Sequence, residues 1–248
     1  MPHFLPIVRN RSWRGRLASG IGMLVLALLP SLAWTQLADY PLIYYPAPLA
    51  EKQWQVSAGL IQVTPPKELT EEAWVRAPAF DLHALYGLPS NFALDGRVLS
   101  QIVQNHFSAG GRWSYPIGNF SVGAGYDVAY WFGFLNVGGF DSKAHGWINY
   151  PSVSVGYNLG NVRLIGKAEA ILDLYHTTTV GTSEVATNQS KVVGAAYSFV
   201  MEQAFWKNTH LSLGFRGTYT KFHWMTWSLF STFDRNLFYP EIIIGFIL

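Results

Sequence analysis

Two short patterns in this chain set a histidine and a serine where they could share chemistry: His106-Phe107-Ser108 and His210-Leu211-Ser212. On a β-strand, residues i and i+2 leave the same face. Each pattern would therefore bring an imidazole beside a hydroxyl, and a carboxylate behind the imidazole would complete an activated nucleophile. No asparagine follows either serine, and no acid stands at an obvious partner position. His83 and His223 are isolated, without metal-ligand spacing.

A second set of chemically able residues is larger. Asp81, Asp95, Asp127, Glu169, Asp173 and Glu202 alternate with apolar neighbours, and so do Arg97, Arg112, Arg163, Lys167 and Arg216. Six acids and five bases, joined by His83 and His106, form a nearly balanced set whose simplest use is mutual ion pairing.

The elements that must position these residues are strands. Asn119–Leu135 reads NFSVGAGYDVAYWFGFL, with Phe120, Val122, Ala124, Tyr126, Val128, Tyr130, Phe132 and Phe134 on one face. The opposite face carries Ser121, Gly123, Gly125, Asp127, Ala129, Trp131 and Gly133. A period of two over this length is a long strand. Large apolar rings share one face and small or polar residues share the other, the arrangement of a strand with lipid outside and a packed or wet lumen inside.

Composition agrees. Half of the 248 residues are hydrophobic and 16% are aromatic, while 13% are charged, against about 25% in soluble domains. A net charge of +2 argues against a nucleic-acid footprint. The chain has no cysteine, which excludes disulfides, thiolate metal sites and a lipidated cysteine. Nothing in the sequence calls for a cofactor.

The chain opens with Arg9, Arg11, Arg14 and Arg16 and no acid, followed by the apolar centre Ile21–Leu29 and the small-residue end Ser31-Leu32-Ala33. That order is a secretory signal peptide over 1–33, with Ala38 a second cleavage position. Pro30 and the small residues favour cleavage over a retained anchor. Residues 34–51, with three prolines and no period, form an extended segment on the periplasmic side of a barrel or tucked into its lumen. The barrel then occupies 52–248, since no later stretch is long and apolar enough for a spanning helix.

The alternation divides that region into ten strands. They are Lys52–Val63, Ala79–Leu88, Phe92–Gln101, His106–Tyr115, Asn119–Leu135, Asn149–Leu159, Val162–Tyr175, Lys191–Phe205, His210–Trp227 and Asn236–Leu248. Long loops at Thr64–Pro78, Asn136–Ile148, His176–Ser190 and Ser228–Arg235 fall on one side, with a helical turn expected in LTEEAW, capped by Thr70. Tight turns at Pro89, Pro116, Gly160 and Trp206 fall on the other. Short inner turns, longer outer loops and an even strand number are what an up-and-down transmembrane barrel shows; eight strands is the alternative.

Over residues 52–248 and the leader, the chain resembles bacterial outer-membrane β-barrel proteins, through its alternation, its loop asymmetry and a last strand, PEIIIGFIL, that runs to the C-terminus. The resemblance implies an outer-membrane location in a Gram-negative cell, contact with the lipid bilayer, and insertion by the barrel-assembly machinery. The machinery reads a terminal aromatic in that class; here Leu248 is last and Phe246 stands two places before it. His-x-Ser is also similar to part of the pattern in outer-membrane lipid A deacylases. His210 and Ser212, however, fall near the periplasmic end, beyond reach of an outer-leaflet lipid.

A ten-strand bore lies near the size at which side chains fill the interior, since about eight strands are packed solid. The expected function is therefore a barrel with a filled, charge-paired lumen and a structural or surface-interaction role. The alternatives are a narrow porin-like solute channel tuned by Lys167, Glu169 and Asp173, and a lipid-modifying enzyme. Trp54, Trp113, Tyr115, Trp131, Tyr157 and Trp206 are expected in interfacial girdles. Phe222, Trp224, Trp227 and Phe230 are expected as a girdle or an adhesion patch at the outer end of strand nine. The sequence specifies no surface partner.

Overall fold

The computed structural model describes residues 42–70, 76–137, 140–206, 209–229 and 235–248. The signal peptide, residues 34–41 and Phe230 lie outside them. In order, the described elements are β1 (Trp54–Val63), α1 (Lys67–Thr70), β2 (Ala77–Gly87), β3 (Phe92–Ser100), β4 (Gln104–Ile117) and β5 (Phe120–Val137). They continue with β6 (Phe140–Asn158), β7 (Val162–Val180), β8 (Ser183–Trp206), β9 (Thr209–Thr220), a 3₁₀ segment (Trp224–Leu229) and β10 (Leu237–Ile247). Each strand pairs antiparallel with its sequence neighbours, and β1 pairs with β10, so the described strands form a closed ten-strand barrel. Closure leaves no free edge along the wall, and the backbone groups of the wall satisfy one another.

The faces follow the alternation. Trp54, Leu60, Phe80, Leu82, Phe92, Leu94, Tyr126, Val153, Phe199 and Ile242 are large apolar residues exposed on the outside. Gln55, Ser57, Asp81, His83, Ser121, Glu169, Ser198 and Glu202 are buried on the inside. A monomer in water does not display so extensive an apolar exterior; hydrocarbon is the medium that fits it.

Three expectations need correction. Asn136–Ile148 and His176–Ser190 are not open loops. Strands β5 to β8 run 18, 19, 19 and 24 residues and pair up to Val137↔Phe140 and Val180↔Ser183. A tilted strand needs about 9–11 residues to cross a bilayer, so these hairpins stand well beyond it. Outside hydrocarbon the outward face turns polar, as at Lys143, while Ser142 and Ala144 stay buried. The apolar-out signal vanishes there although the pairing continues.

Alternation counted back from the outward Phe199 and Tyr197 of β8 predicts Val193 outward, but Val193 is buried at 7% exposure while Val192 is 74% exposed. The pairing explains it. Ile171 faces Gly194 and Leu172 faces Val192, so Val193 is the extra residue of a β-bulge. Strand β9 ends at Thr220, not Trp227, and the chain turns back over the barrel mouth. The described helical turn, Lys67–Thr70, overlaps the first two residues of LTEEAW, and the other four lie outside the described residues. The Thr70 hydroxyl donates to the Pro66 carbonyl at 3.5 Å.

Phe199 projects outward at mid-height, between Gly166 of β7 and Phe215 of β9. Phe199→Arg is expected to cost about 2–4 kcal/mol, the depth-dependent cost of a charge at the bilayer midplane, in urea unfolding of the protein in lipid vesicles. A cost near zero would show that this face meets water.

Candidate functional site: a lumen closed at both ends

At the end of the barrel where β2–β3, β4–β5 and β6–β7 turn, the segment Leu42–Leu49 lies inside the bore, with Leu42, Ile43, Tyr45 and Leu49 buried. It has no strand partner, so its backbone groups need acceptors and donors from the wall. Glu202 of β8 supplies two: its carboxylate accepts the Tyr44 amide at 3.0 Å and the Tyr45 amide at 3.1 Å. Ser212 of β9 donates its hydroxyl to the same carboxylate at 3.1 Å. Arg112 of β4 donates to the Ile43 carbonyl at 2.7 Å. Arg163 of β7 lies over the Tyr45 ring at 5.2 Å.

Room for the segment comes from the small inward residues of β5 and β6. A Cβ on Gly156 would sit 2.4 Å from the Tyr45 ring, and one on Gly123 would sit 2.9 Å from Pro46. The Ser121 hydroxyl bonds the Pro46 carbonyl.

Above the segment is a charged layer. Arg97 of β3 grips Asp81 of β2 through two bonds of 2.8 Å and also donates to the Tyr44 hydroxyl at 3.2 Å. His83 meets Asp95 at 2.7 Å. Glu169 of β7 takes Lys167 at 2.9 Å and Arg216 of β9 at 3.1 Å. Arg216 also approaches Glu241 of β10 at 3.8 Å. The register places these contacts: Arg216 lies directly opposite Glu241, and His83 directly opposite Arg97.

At the far end the 3₁₀ segment forms a roof. Trp224, Met225 and Trp227 point down and are buried. Trp224 stacks on His106 with ring centroids 4.9 Å apart, and Gln104 donates to the Met225 carbonyl at 2.9 Å. Trp227 fits only because residue 133 is glycine, where a Cβ would lie 2.2 Å from its indole nitrogen. Phe222 stacks on His176 at 4.5 Å, and His176 meets Asp173 at 2.5 Å. The described aromatics of the expected outer cluster therefore form neither an exposed girdle nor an adhesion patch; they close the mouth. Trp131, expected in a girdle, is fully buried beside Phe222. Its position on the inward face of β5 decides this, and nearness to a strand end does not.

Between segment and roof is a polar cavity of about 60 Å³, bordered by Asp95, Asp127, Tyr150, Lys167, Glu169 and Arg216 among others. It has room for roughly four waters at ~10–15 Å³ each.

The eleven charges expected in the lumen thus divide. Asp81, Asp95, Arg97, Lys167, Glu169 and Arg216 make the central network; Arg112, Arg163 and Glu202 hold the N-terminal segment; Asp173 lies under the roof. Asp127 borders the cavity and makes no ion pair within 4.0 Å among the described residues. Sequence reasoning missed Glu241, His176, His223, Tyr44 and Tyr150. Glu241 was recoverable, as the one charge of the last strand and on the same face as Ile243 and Ile247. Tyr44 carried no signal, because its segment has no period.

Neither His-x-Ser pattern forms a dyad. His106 bonds Tyr150 at 3.2 Å, while Ser108 donates to the Arg97 carbonyl at 3.5 Å. Ser212 is engaged by Glu202, and His210 is buried near the segment end. Among the described residues no group of three His, Asp or Glu side chains is arranged to hold a metal.

No family model matches the chain, and no curated protein matches it. Solved structures do. Neisserial surface protein A aligns at 16% identity over 79% of this chain and 96% of its own, with a TM-score of 0.41. Ail, the attachment invasion locus protein of Yersinia pestis, aligns at 11% identity over 80% and 99%, with a TM-score of 0.37. Outer membrane phospholipase A from Escherichia coli aligns at 12% identity over 85% and 93%, with a TM-score of 0.40. At such identities no residue role transfers.

Glu169→Leu strands Lys167 and weakens the hold on Arg216, so a cost of about 3–5 kcal/mol is expected, as for a broken buried pair. Asp127→Leu, which breaks no ion pair, should cost clearly less. Urea unfolding in detergent measures both, and equal costs would refute the network as drawn.

Proposed function

We propose that this chain is a small bacterial outer-membrane β-barrel whose lumen is filled and charge-paired, serving a structural or surface-interaction role. The observation that carries this reading is the double closure of the bore: Leu42–Leu49 occupies one end and Trp224–Trp227 the other. A solute channel needs a continuous wet path, and here the described lumen residues border two small polar cavities of about 60 and 30 Å³. The location rests on physical grounds: a closed barrel with an apolar exterior is one of the two structures a bilayer accepts, and the basic, apolar leader supports export. Export followed by insertion through the barrel-assembly machinery is part of the proposal.

The long β5–β8 hairpins support the surface role, since they extend the sheet beyond the bilayer, where a partner could reach it. The enzyme alternative has no comparable support, because both His-x-Ser pairs are engaged elsewhere.

The test is single-channel recording of the refolded protein in a planar bilayer at neutral pH. A silent protein that still shifts on a gel when heated is the expected outcome. Discrete, reproducible openings would sink the sealed-lumen reading in favour of the channel.

A further inference from the structure

The roof is tied down through a histidine whose bonds depend on its protonation. His223 immediately precedes the 3₁₀ segment, and its Nδ1 accepts the Met225 backbone amide at 3.2 Å. An amide only donates, so Nδ1 carries no proton in this arrangement. The ring proton then sits on Nε2, facing the Glu241 carboxylate at 3.4 Å. An imidazolium has protons on both nitrogens and cannot accept the Met225 amide.

Protonation thus keeps the bond to the wall and breaks the bond that shapes the roof. Charged and titratable groups face His223 from several elements. The Glu241 carboxylate of β10 lies 3.4 Å from Nε2, and Arg216 of β9 reaches the same carboxylate at 3.8 Å. Tyr239 of β10 stacks on the ring at 4.9 Å. His106 of β4 lies on the roof's other side, against Trp224. Lys221, two residues earlier, is exposed. Phe222, His223, Trp224 and Met225 all border the central cavity, so loosening them exposes it.

We propose that the Phe222–Trp227 roof is a proton-operated gate over the polar cavity, with His223 as its sensor: closed while His223 is neutral, and released by acid. This goes beyond a permanently sealed lumen. The sign follows from the bond: the Met225 contact is present when pH is high and is lost as His223 takes up a proton.

The chain has no cysteine, so one engineered thiol reports access. Ser108 borders the cavity, and Ser108→Cys places that thiol behind the roof. Its labelling rate by a small thiosulfonate is measured in lipid vesicles at about pH 8 and about pH 5, spanning the range in which imidazoles change charge. Each rate is divided by that of the unfolded protein at the same pH, which removes the thiol's own ionisation. The expected result is a normalised rate about tenfold higher in acid, the size set by a buried amide losing its acceptor.

Adding His223→Phe keeps a flat ring against Tyr239, removes titration and leaves the Met225 amide without its acceptor. The rate should then stay at the fast, acid level at both pH values. If the Phe variant does not refold, His223→Gln, which does not titrate either, should give a rate independent of pH. Adding His176→Phe, which preserves the stack on Phe222, should leave the acid response intact. No acceleration in acid would overturn the proposal, and so would an acceleration that survives loss of His223. Fast labelling at both pH values with His223 intact would overturn it too, and would mean that the lumen is not sealed at all.

Discussion

The contact on which the interior depends is Glu202 with the backbone of Tyr44 and Tyr45. A carboxylate with no solvent exposure is strongly unfavourable unless hydrogen bonds satisfy it, and an unpaired backbone inside a barrel has the same need. Each answers the other here: two amides and the Ser212 hydroxyl converge on the carboxylate at 3.0–3.1 Å. The rest of the lower lumen is built around that clamp. Ser121, Gly123 and Gly156 are small because the segment passes against them, and Arg112 turns toward the Ile43 carbonyl.

The wall and the lumen obey opposite rules, and the barrel reconciles them by alternation. Outward residues meet hydrocarbon and are aromatic or aliphatic. Inward residues meet one another, and ten strands enclose more space than one layer of uncharged side chains fills. Long charged side chains that pair with partners on the same or nearby strands fill it, so that most of the buried charges are compensated. The Arg97–Asp81 and Lys167–Glu169–Arg216 contacts do this in the middle, while chain segments do it at the ends. Among the described residues the interior is filled except for small polar cavities of about 60 and 30 Å³.

The legibility of the sequence follows the same division. Where a strand lies in hydrocarbon, as in Phe120–Phe134 and Val162–Leu174, one face must be apolar and the period of two is plain. Closure, strand number and the facing of the lumen charges were legible for that reason. Where strands leave the bilayer the constraint lapses, and Asn136–Ile148 reads as loop although it pairs throughout most of its length. The bulge at Val193 breaks the parity locally, so alternation read along β8 gives the wrong face there. The segment Leu42–Leu49 has no internal period, because its partners lie far along the chain, from 53 positions for Tyr44 and Arg97 to 158 for Tyr44 and Glu202. The aromatics at 222–227 looked like a girdle since composition alone does not distinguish a ring facing lipid from a ring facing inward.

The account rests most directly on the N-terminal segment lying inside the barrel, and a crosslink tests it. The Cα direction of Gly123 points at Pro46, with an ideal Cβ 2.9 Å from the Pro46 Cβ, so a small adjustment reaches the roughly 3.5–4.5 Å that a disulfide spans. In the cysteine-free chain, Pro46→Cys with Gly123→Cys is oxidised in membranes, and the linked peptides are quantified by mass spectrometry. Near-complete linkage within each molecule is the predicted result. Two free thiols in a folded, heat-modifiable barrel would show that the segment lies outside, and the filled lumen would fall with it.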